Sequence, residues 1–345
     1  MALTNFSSYA SSANRGEARE NNFTFLHLLG ALLVIFGHMY YFVGELPFTI
    51  CGNYVQVFGC KIIFVLSGYL VTKSYLREPH FLPYLKKRVF KIFPSLIVIV
   101  LLTIFVLGPI FTNLTLITYF TNPCTWAYSS NIFLYPRFDL PGVFINNPYP
   151  YAINGSLWTI PIEILCYLLV PLFYLINKKR PYINAIVLLL MTSVVALTPY
   201  VFKAPIVVYG TDLLDICDLG VYFVFGNIFA LIDDKKIYNI HNAFLIFFLL
   251  IAVPLSKDIK NVLLIPVLTY LVLSFGNIPN PIFKNVLKKH NICYGLYLYG
   301  FPIQQIVVVL LKQYDLPVIV LFIISLLPIT LFAYLNFILV EKPIA

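Results

Sequence analysis

Four groups of residues carry side chains whose type and spacing could do chemistry. His27 and His38 are eleven positions apart in Asn22-Phe-Thr-Phe-Leu-His27 … Phe36-Gly-His38. Three helical turns take about 10.8 residues, so both rings face one way, about 16 Å apart along a helix axis. A second segment, Asn154-Gly-Ser156-Leu-Trp158-Thr-Ile-Pro161-Ile-Glu163, places Ser156 as an expected N-cap and Glu163 about 10 Å further in. His38 lies about 8 Å from the matching end of its own helix, so ring and carboxylate are expected at similar depth. Such a pair can act as a general base: the carboxylate orients the imidazole, and the imidazole takes a hydroxyl proton. The alternative is that each satisfies a separate structural hydrogen bond, as polar residues between membrane helices often do.

The third group is Lys86-Lys87-Arg88-Val-Phe-Lys91-Ile-Phe-Pro94, in which Arg88 and Lys91 share a helix face. With His27 at comparable depth, they form a candidate site for the phosphates of an anionic donor. Lys86 and Lys87 read as anchoring at the membrane surface. The fourth is a set of polar positions in apolar surroundings that bind substrate or hold helices together. It comprises Ser67 and Tyr69 beside Gly68, Asn154, Ser156 and Trp158, and Tyr297, Gln304 and Gln305. A Ser-Gly pair permits close helix approach, and the two glutamines must be paired or face a wet cavity. Lys61 is expected to snorkel toward the surface. The six cysteines show no Cys-x-x-Cys pairing and no metal-ligand spacing with His. Cys51 and Cys60 flank a short loop where a disulfide is permitted, and the alternative reading is two unrelated core thiols.

The elements that must position these groups follow from composition. Of the 345 residues, 60% are hydrophobic and 11% charged, and the mean hydropathy is +0.88. A soluble domain averages about 25% charged. The net charge of +9 does not indicate nucleic acid, because the basic residues sit between apolar runs rather than along an exposed groove. The fold class is an all-α polytopic membrane protein. Ten spans are expected, at about 23–43, 54–76, 89–110, 155–177, 183–202, 213–232, 242–256, 261–277, 291–311 and 317–340. Seventeen of the 23 Lys and Arg fall in one set of loops, which puts both termini in the cytoplasm. The polar first twenty residues, with no small-residue cleavage site after the first apolar run, indicate that this run is retained rather than cleaved as a signal.

The organisation is then a cytoplasmic segment over 1–22, a transmembrane domain over 23–340 and a short tail over 341–345. The longest piece without helical character, about 112–153, falls outside the cytoplasm, as an aromatic lid or platform for a ligand or as a loose connection. No internal repeat of the kind many transporters carry is visible.

Taken in order, Phe36-Gly-His38, Phe64-Val-Leu-Ser67-Gly68-Tyr69, Arg88-Val-Phe-Lys91-Ile-Phe-Pro94, Asn154 to Glu163, Tyr294 to Gln305 and Glu341-Lys-Pro343 resemble the acyltransferase family 3 membrane proteins. The resemblance implies a ten-helix enzyme of the bacterial inner membrane. It implies cytoplasmic acetyl-CoA or another acyl-CoA as co-substrate, with no bound cofactor and no metal. The acceptor would be an extracytoplasmic carbohydrate or lipid-linked glycan, such as a lipopolysaccharide or other surface polysaccharide that undergoes O-acetylation. It maps the family's essential histidine onto His38 and its basic pair onto Arg88 and Lys91. Where relatives carry Arg eleven positions before that histidine this chain has His27, and Gly300 replaces a histidine found in another branch. The chain resembles the members without an added soluble domain.

The reading that results has CoA at His27, Arg88 and Lys91, and His38 oriented by Glu163 deprotonating a sugar hydroxyl that attacks the thioester. An acyl-histidine intermediate is the second possibility. Membrane lipid is the surrounding partner and nucleic acid is not one. Two rivals stand beside this: a transporter or flippase of a lipid-linked sugar that relays protons through His and Glu, and a structural membrane subunit.

Overall fold

The computed structural model describes residues 21–179, 182–201, 204–232, 234–287 and 290–344. Helix α1 (Phe23–Phe42) leads into a short hairpin of β1 (Thr49–Ile50) and β2 (Asn53–Tyr54), paired antiparallel with Thr49 opposite Tyr54. Cys51 and Gly52 turn the hairpin with positive φ of 49° and 81°, the mirror-image turn that suits strand twist. Helix α2 (Val55–Arg77) follows directly. Helix α3 (Phe81–Leu102) continues through a π turn at Thr103–Leu107 into α4 (Gly108–Phe111).

Beyond it lie α5 (Leu116–Thr121), α6 (Pro123–Ala127) and a 3-10 turn over Tyr128–Phe133. A second 3-10 turn, Gly155–Trp158, opens α7 (Thr159–Lys179), which is followed by α8 (Tyr182–Val201). A second hairpin, β3 (Val207–Val208) with β4 (Thr211–Asp212), precedes α9 (Leu213–Ile232). Then come α10 (Ile240–Ala252), α11 (Lys257–Gly276), α12 (Cys293–Leu311), α13 (Val318–Asn336) and, after a π turn, α14 (Lys342–Ile344).

Among the described residues, eight helical stretches are long and apolar enough to cross a membrane. Their outward faces carry Ile323, Leu327 and Leu331 exposed, as a lipid-facing surface requires. The fifth and seventh expected spans are occupied by α8 and by α10. At 13 residues α10 is about 20 Å long, short of the ~30 Å hydrocarbon core.

Two expectations about the helical elements need correction. The third span begins at Phe81 rather than near 89, because Pro83 sits in the first turn, where its missing N–H costs nothing. The connection expected to lack helix carries α5 and α6, capped by the side chains of Thr115 and Asn122. This segment is also tied down. The Tyr119 hydroxyl donates to the Ile104 carbonyl freed at the π turn (3.0 Å), and a Cβ on Gly108 would collide with that hydroxyl.

The bundle centres on α2, which packs most extensively against α9 and α1. Gly68 and Gly226 make the first contact possible: a Cβ at Gly68 would meet the Phe223 carbonyl, and one at Gly226 would meet that of Val65. Asn227 donates to the Thr72 hydroxyl at 2.7 Å across the same interface.

Lys61 does not snorkel. It is 1% exposed, donates to Asp218 at 2.9 Å and to Asn53 at 2.7 Å, and lies over the Tyr222 ring. The acid on α9 removes the need to reach solvent. Truncating Asp218 to alanine leaves a buried ammonium without its counter-charge, at a cost of about 3 kcal/mol. Thermal unfolding in detergent should show this loss, and a D218L/K61M double variant should regain most of it. Stability of D218A equal to wild type would refute the pairing.

Candidate active site

Two cavities enter the bundle from opposite ends of α1. The first, at the His27 end, has a volume of about 610 Å3. Its walls carry His27, Lys86, Lys87 and Lys91, and also the carboxylates Glu163 and Glu341. Starting α3 at Phe81 turns Lys87 and Lys91, four apart, onto this cavity. His27 Nδ1 lies 3.0 Å from the Phe23 carbonyl. A carbonyl only accepts, so Nδ1 carries the proton and Nε2 is the ring's second polar atom. Glu163 Oε1 accepts from the Ser67 hydroxyl (3.4 Å) and from the Tyr167 hydroxyl. Glu341 accepts from Asn336 Nδ2 at 2.8 Å, and Asn336 donates to Ser95 Oγ at 2.9 Å. At the rim, Lys87 donates to Glu78 at 2.5 Å, and this bond holds the Glu78 carboxyl below its ordinary range.

The second cavity, at the Phe42 end, measures about 410 Å3. It is lined by His38, by the rings of Tyr41, Phe138, Tyr149 and Trp158, and by Asp212 and Asp215, with no Lys or Arg. His38 packs edge-on to Phe301 at 5.0 Å, and its Nδ1 has no hydrogen-bond partner. The 112–153 connection supplies part of this wall. Gln305 Nε2 donates to the Tyr149 and Ala152 carbonyls, both at 2.8 Å, while Asn147 donates to Gln305 Oε1 at 2.7 Å.

Cys60 and Tyr297 line both cavities and so form the partition between them. The Tyr297 hydroxyl is 2.6 Å from Thr159 Oγ1. Consecutive residues Trp158 and Thr159 line opposite cavities, because the 3-10 turn meets the α-helix there.

The structure therefore separates residues expected together. Glu163 does not orient His38: the two line different cavities, and Glu163 is held by Ser67 and Tyr167 instead. The 3-10 turn rises about 2.0 Å per residue, which sets Glu163 about 14 Å in, against about 6 Å for His38. Arg88 also stands apart from Lys91. Its guanidinium lies 5.8 Å and 5.9 Å from the rings of Tyr84 and Tyr167, outside the cavity lining, and its Nε has no partner. A three-residue step on a helix is a turn of about 300°, enough to aim one side chain at the cavity and the other at α7.

Several polar positions make contacts between elements. Asn154, rather than Ser156, caps the turn by accepting from Ser156 N (3.3 Å), and its Nδ2 donates to the Leu298 carbonyl at 2.9 Å. Ser156 is buried beneath it. Tyr69 packs on Phe23, and Gln304 donates to the Ile35 carbonyl at 2.8 Å. Cys51 and Cys60 are both free thiols. Among the described residues, no three His, Cys, Asp or Glu are grouped to hold a metal. The positions missed in the sequence are Asp212, Asp215 and Asp218. Their spacing of three along the start of an apolar helix was the available signal, since ionisable groups in a span are functional by default.

Comparison with known proteins places this architecture. The chain is 29% identical over 339 residues to an O-acetyl transferase of Shigella phage Sf6, covering 94% of this chain and 96% of the relative. It is 26% identical over 323 residues to nodulation protein 10 of Rhizobium leguminosarum bv. viciae, covering 84% of each. No solved structure matches. A family model described as an acyltransferase domain, that of acyltransferase family 3, matches residues 21–337. With that match spanning nearly all of a bundle of apolar helices, the chain belongs to acyltransferase family 3 as a multi-pass membrane enzyme.

Proposed function

We propose that the protein transfers an acetyl group from acetyl-CoA, bound at the His27 end, to a carbohydrate hydroxyl bound at the His38 end. The observation that carries this reading is the pair of cavities with a shared wall at Cys60 and Tyr297, one rimmed by cations and the other built of aromatic rings around His38. A volume of about 610 Å3 lies within the ~300–1,000 Å3 of ligand sites. Lys86, Lys87 and Lys91 suit phosphate groups as charged donors. Aromatic faces with carboxylate acceptors and no basic side chain suit the rings and hydroxyls of a sugar. The name of the phage relative, an O-acetyl transferase, fits transfer of an acetyl group to an oxygen.

In the reaction, an imidazole nitrogen of His38 takes the proton of the sugar hydroxyl as its oxygen attacks the thioester carbonyl. The C–S bond breaks, an ester forms, and the proton passes to the departing CoA sulfur. Asp212 and Asp215, which share the cavity, replace Glu163 as the carboxylates available to stabilise the imidazolium. Glu163 and Glu341 instead balance the charge of Lys91 in the donor cavity. Positive charge is concentrated at the His27 end, so this face is cytoplasmic and the 112–153 segment external, in a bacterial inner membrane. A surface polysaccharide such as lipopolysaccharide is then the acceptor class.

Mass spectrometry of surface glycans from cells with and without the gene tests the reading. Loss of an acetyl increment is expected in cells lacking it. Unchanged glycan masses with a lowered total amount would instead favour transport of a lipid-linked sugar.

A further inference from the structure

We propose that Tyr297 is a gate between the two cavities, latched by Thr159, which excludes water from the thioester until the acyl arm is in place and which limits acyl length. The inference rests on the functional reading above. Three facts support it. Cys60 and Tyr297 line both cavities, so any group passing between donor and acceptor passes them. The Tyr297 hydroxyl is hydrogen-bonded to Thr159 Oγ1 at 2.6 Å and also interacts with the Cys60 thiol beside it in the same wall. Tyr297 lies on α12 and its latch at the start of α7, so the contact that closes the wall joins two different helices.

The closed wall creates a requirement. Donor phosphates near Lys91 and a base at His38 lie in separate cavities, whereas reacting atoms must come within about 3–3.5 Å. The acetyl carbonyl must therefore cross at Tyr297. An open wall without acceptor would let water from the second cavity attack the carbonyl, break the C–S bond and release acetate and CoA thiol. A latch worth one neutral hydrogen bond biases that opening by about two- to tenfold, enough to suppress the leak while remaining reversible by donor binding. Tyr297 is thus a positioning residue, with no proton to transfer in the reaction itself.

Three variants test the gate. Tyr297→Phe and Thr159→Val each remove the latch and keep the side-chain volume; Tyr297→Ala removes the wall. Membranes are given acetyl-CoA alone, and release of CoA thiol is followed as hydrolysis; cells are scored for acyl groups on surface glycans. Both latch variants should raise the ratio of hydrolysis to transfer by about two- to tenfold over wild type. Tyr297→Ala should accept butanoyl-CoA relative to acetyl-CoA about tenfold better. A merely structural tyrosine would lower hydrolysis and transfer together. Latch variants with the wild-type ratio overturn the gate, whether or not Tyr297→Ala accumulates. Wild-type cells that place no acyl group on any glycan would instead overturn the functional reading on which the gate rests.

Discussion

Replacing His38 by alanine should lower acyl transfer by about 10²- to 10⁴-fold while the protein remains folded and inserted, the range that a positioned general base supplies. The ring is half-buried at the Phe42 end of α1, stacked edge-on to Phe301, and its Nδ1 makes no hydrogen bond that folding would forfeit. Its removal costs some contact with Phe42 and Phe301, but no buried polar group is left orphaned. Glutamine at this position keeps a hydrogen-bonding side chain and should be as inactive as alanine, because an amide cannot take up a proton near neutral pH. The check is transfer rate in membranes normalised to inserted protein, with thermal stability measured beside it. Turnover in either variant within tenfold of wild type would remove His38 from the reaction.

The second large effect is expected at Lys91. Its ammonium faces the donor cavity with those of Lys86 and Lys87, whereas Lys87 is already engaged by Glu78 at the rim. A charge-assisted contact to phosphate contributes about 1.5–3 kcal/mol. Lys91→Ala should therefore raise KM for acetyl-CoA by about ten- to a hundredfold and leave kcat with saturating donor close to wild type, the signature of lost uniform binding. The contrast with Arg88 is informative. Arg88→Ala should act through the packing of Tyr84 and Tyr167 and lower stability rather than donor affinity. Steady-state kinetics against acetyl-CoA for the two variants, with unfolding temperatures, separates the cases; an unchanged KM in Lys91→Ala would contradict the donor assignment.

What the sequence made legible, and what it hid, follows from how each kind of information is encoded. Apolar runs report span positions directly, so the ends of α1, α2, α9 and α12 lie within a few residues of expectation. The eleven-residue spacing of His27 and His38 fixed them to opposite ends of one helix, and they do line opposite cavities. Depth arguments also depend on the local rise of the chain. The 3-10 turn at Gly155–Trp158 adds about 2 Å to the depth of Glu163, and counting from Gly155 rather than Ser156 adds the rest of the difference from expectation. Which neighbour a polar side chain finds across a bundle is a tertiary fact with no local signature. The Lys61–Asp218 pair joins residues 157 apart, and Gln305 holds loop atoms of Tyr149 and Ala152 some 150 positions away. The small hairpins escaped notice because each strand is two residues long, too short for a period of two to register.

The correction to Glu163 alters how its variants should be read. Expected as the partner of His38, it would govern the base; held by Ser67 and Tyr167 in the cavity of Lys91, its variants are expected to act on the side of that cavity. The carboxylates that line the cavity of His38 are those of Asp212 and Asp215.

The central claim is that an acetyl group entering at the His27 face leaves on a glycan at the His38 face, and sided vesicles test it most directly. Membranes would be prepared inside-out and right-side-out from cells expressing the protein, and sealed vesicles supplied with radiolabelled acetyl-CoA, which does not cross the bilayer. The account predicts label on glycan only in inside-out vesicles, where the basic face is accessible, with the labelled glycan enclosed within the lumen. Equal labelling from both orientations, or label on glycan at the same face as the donor, would contradict it.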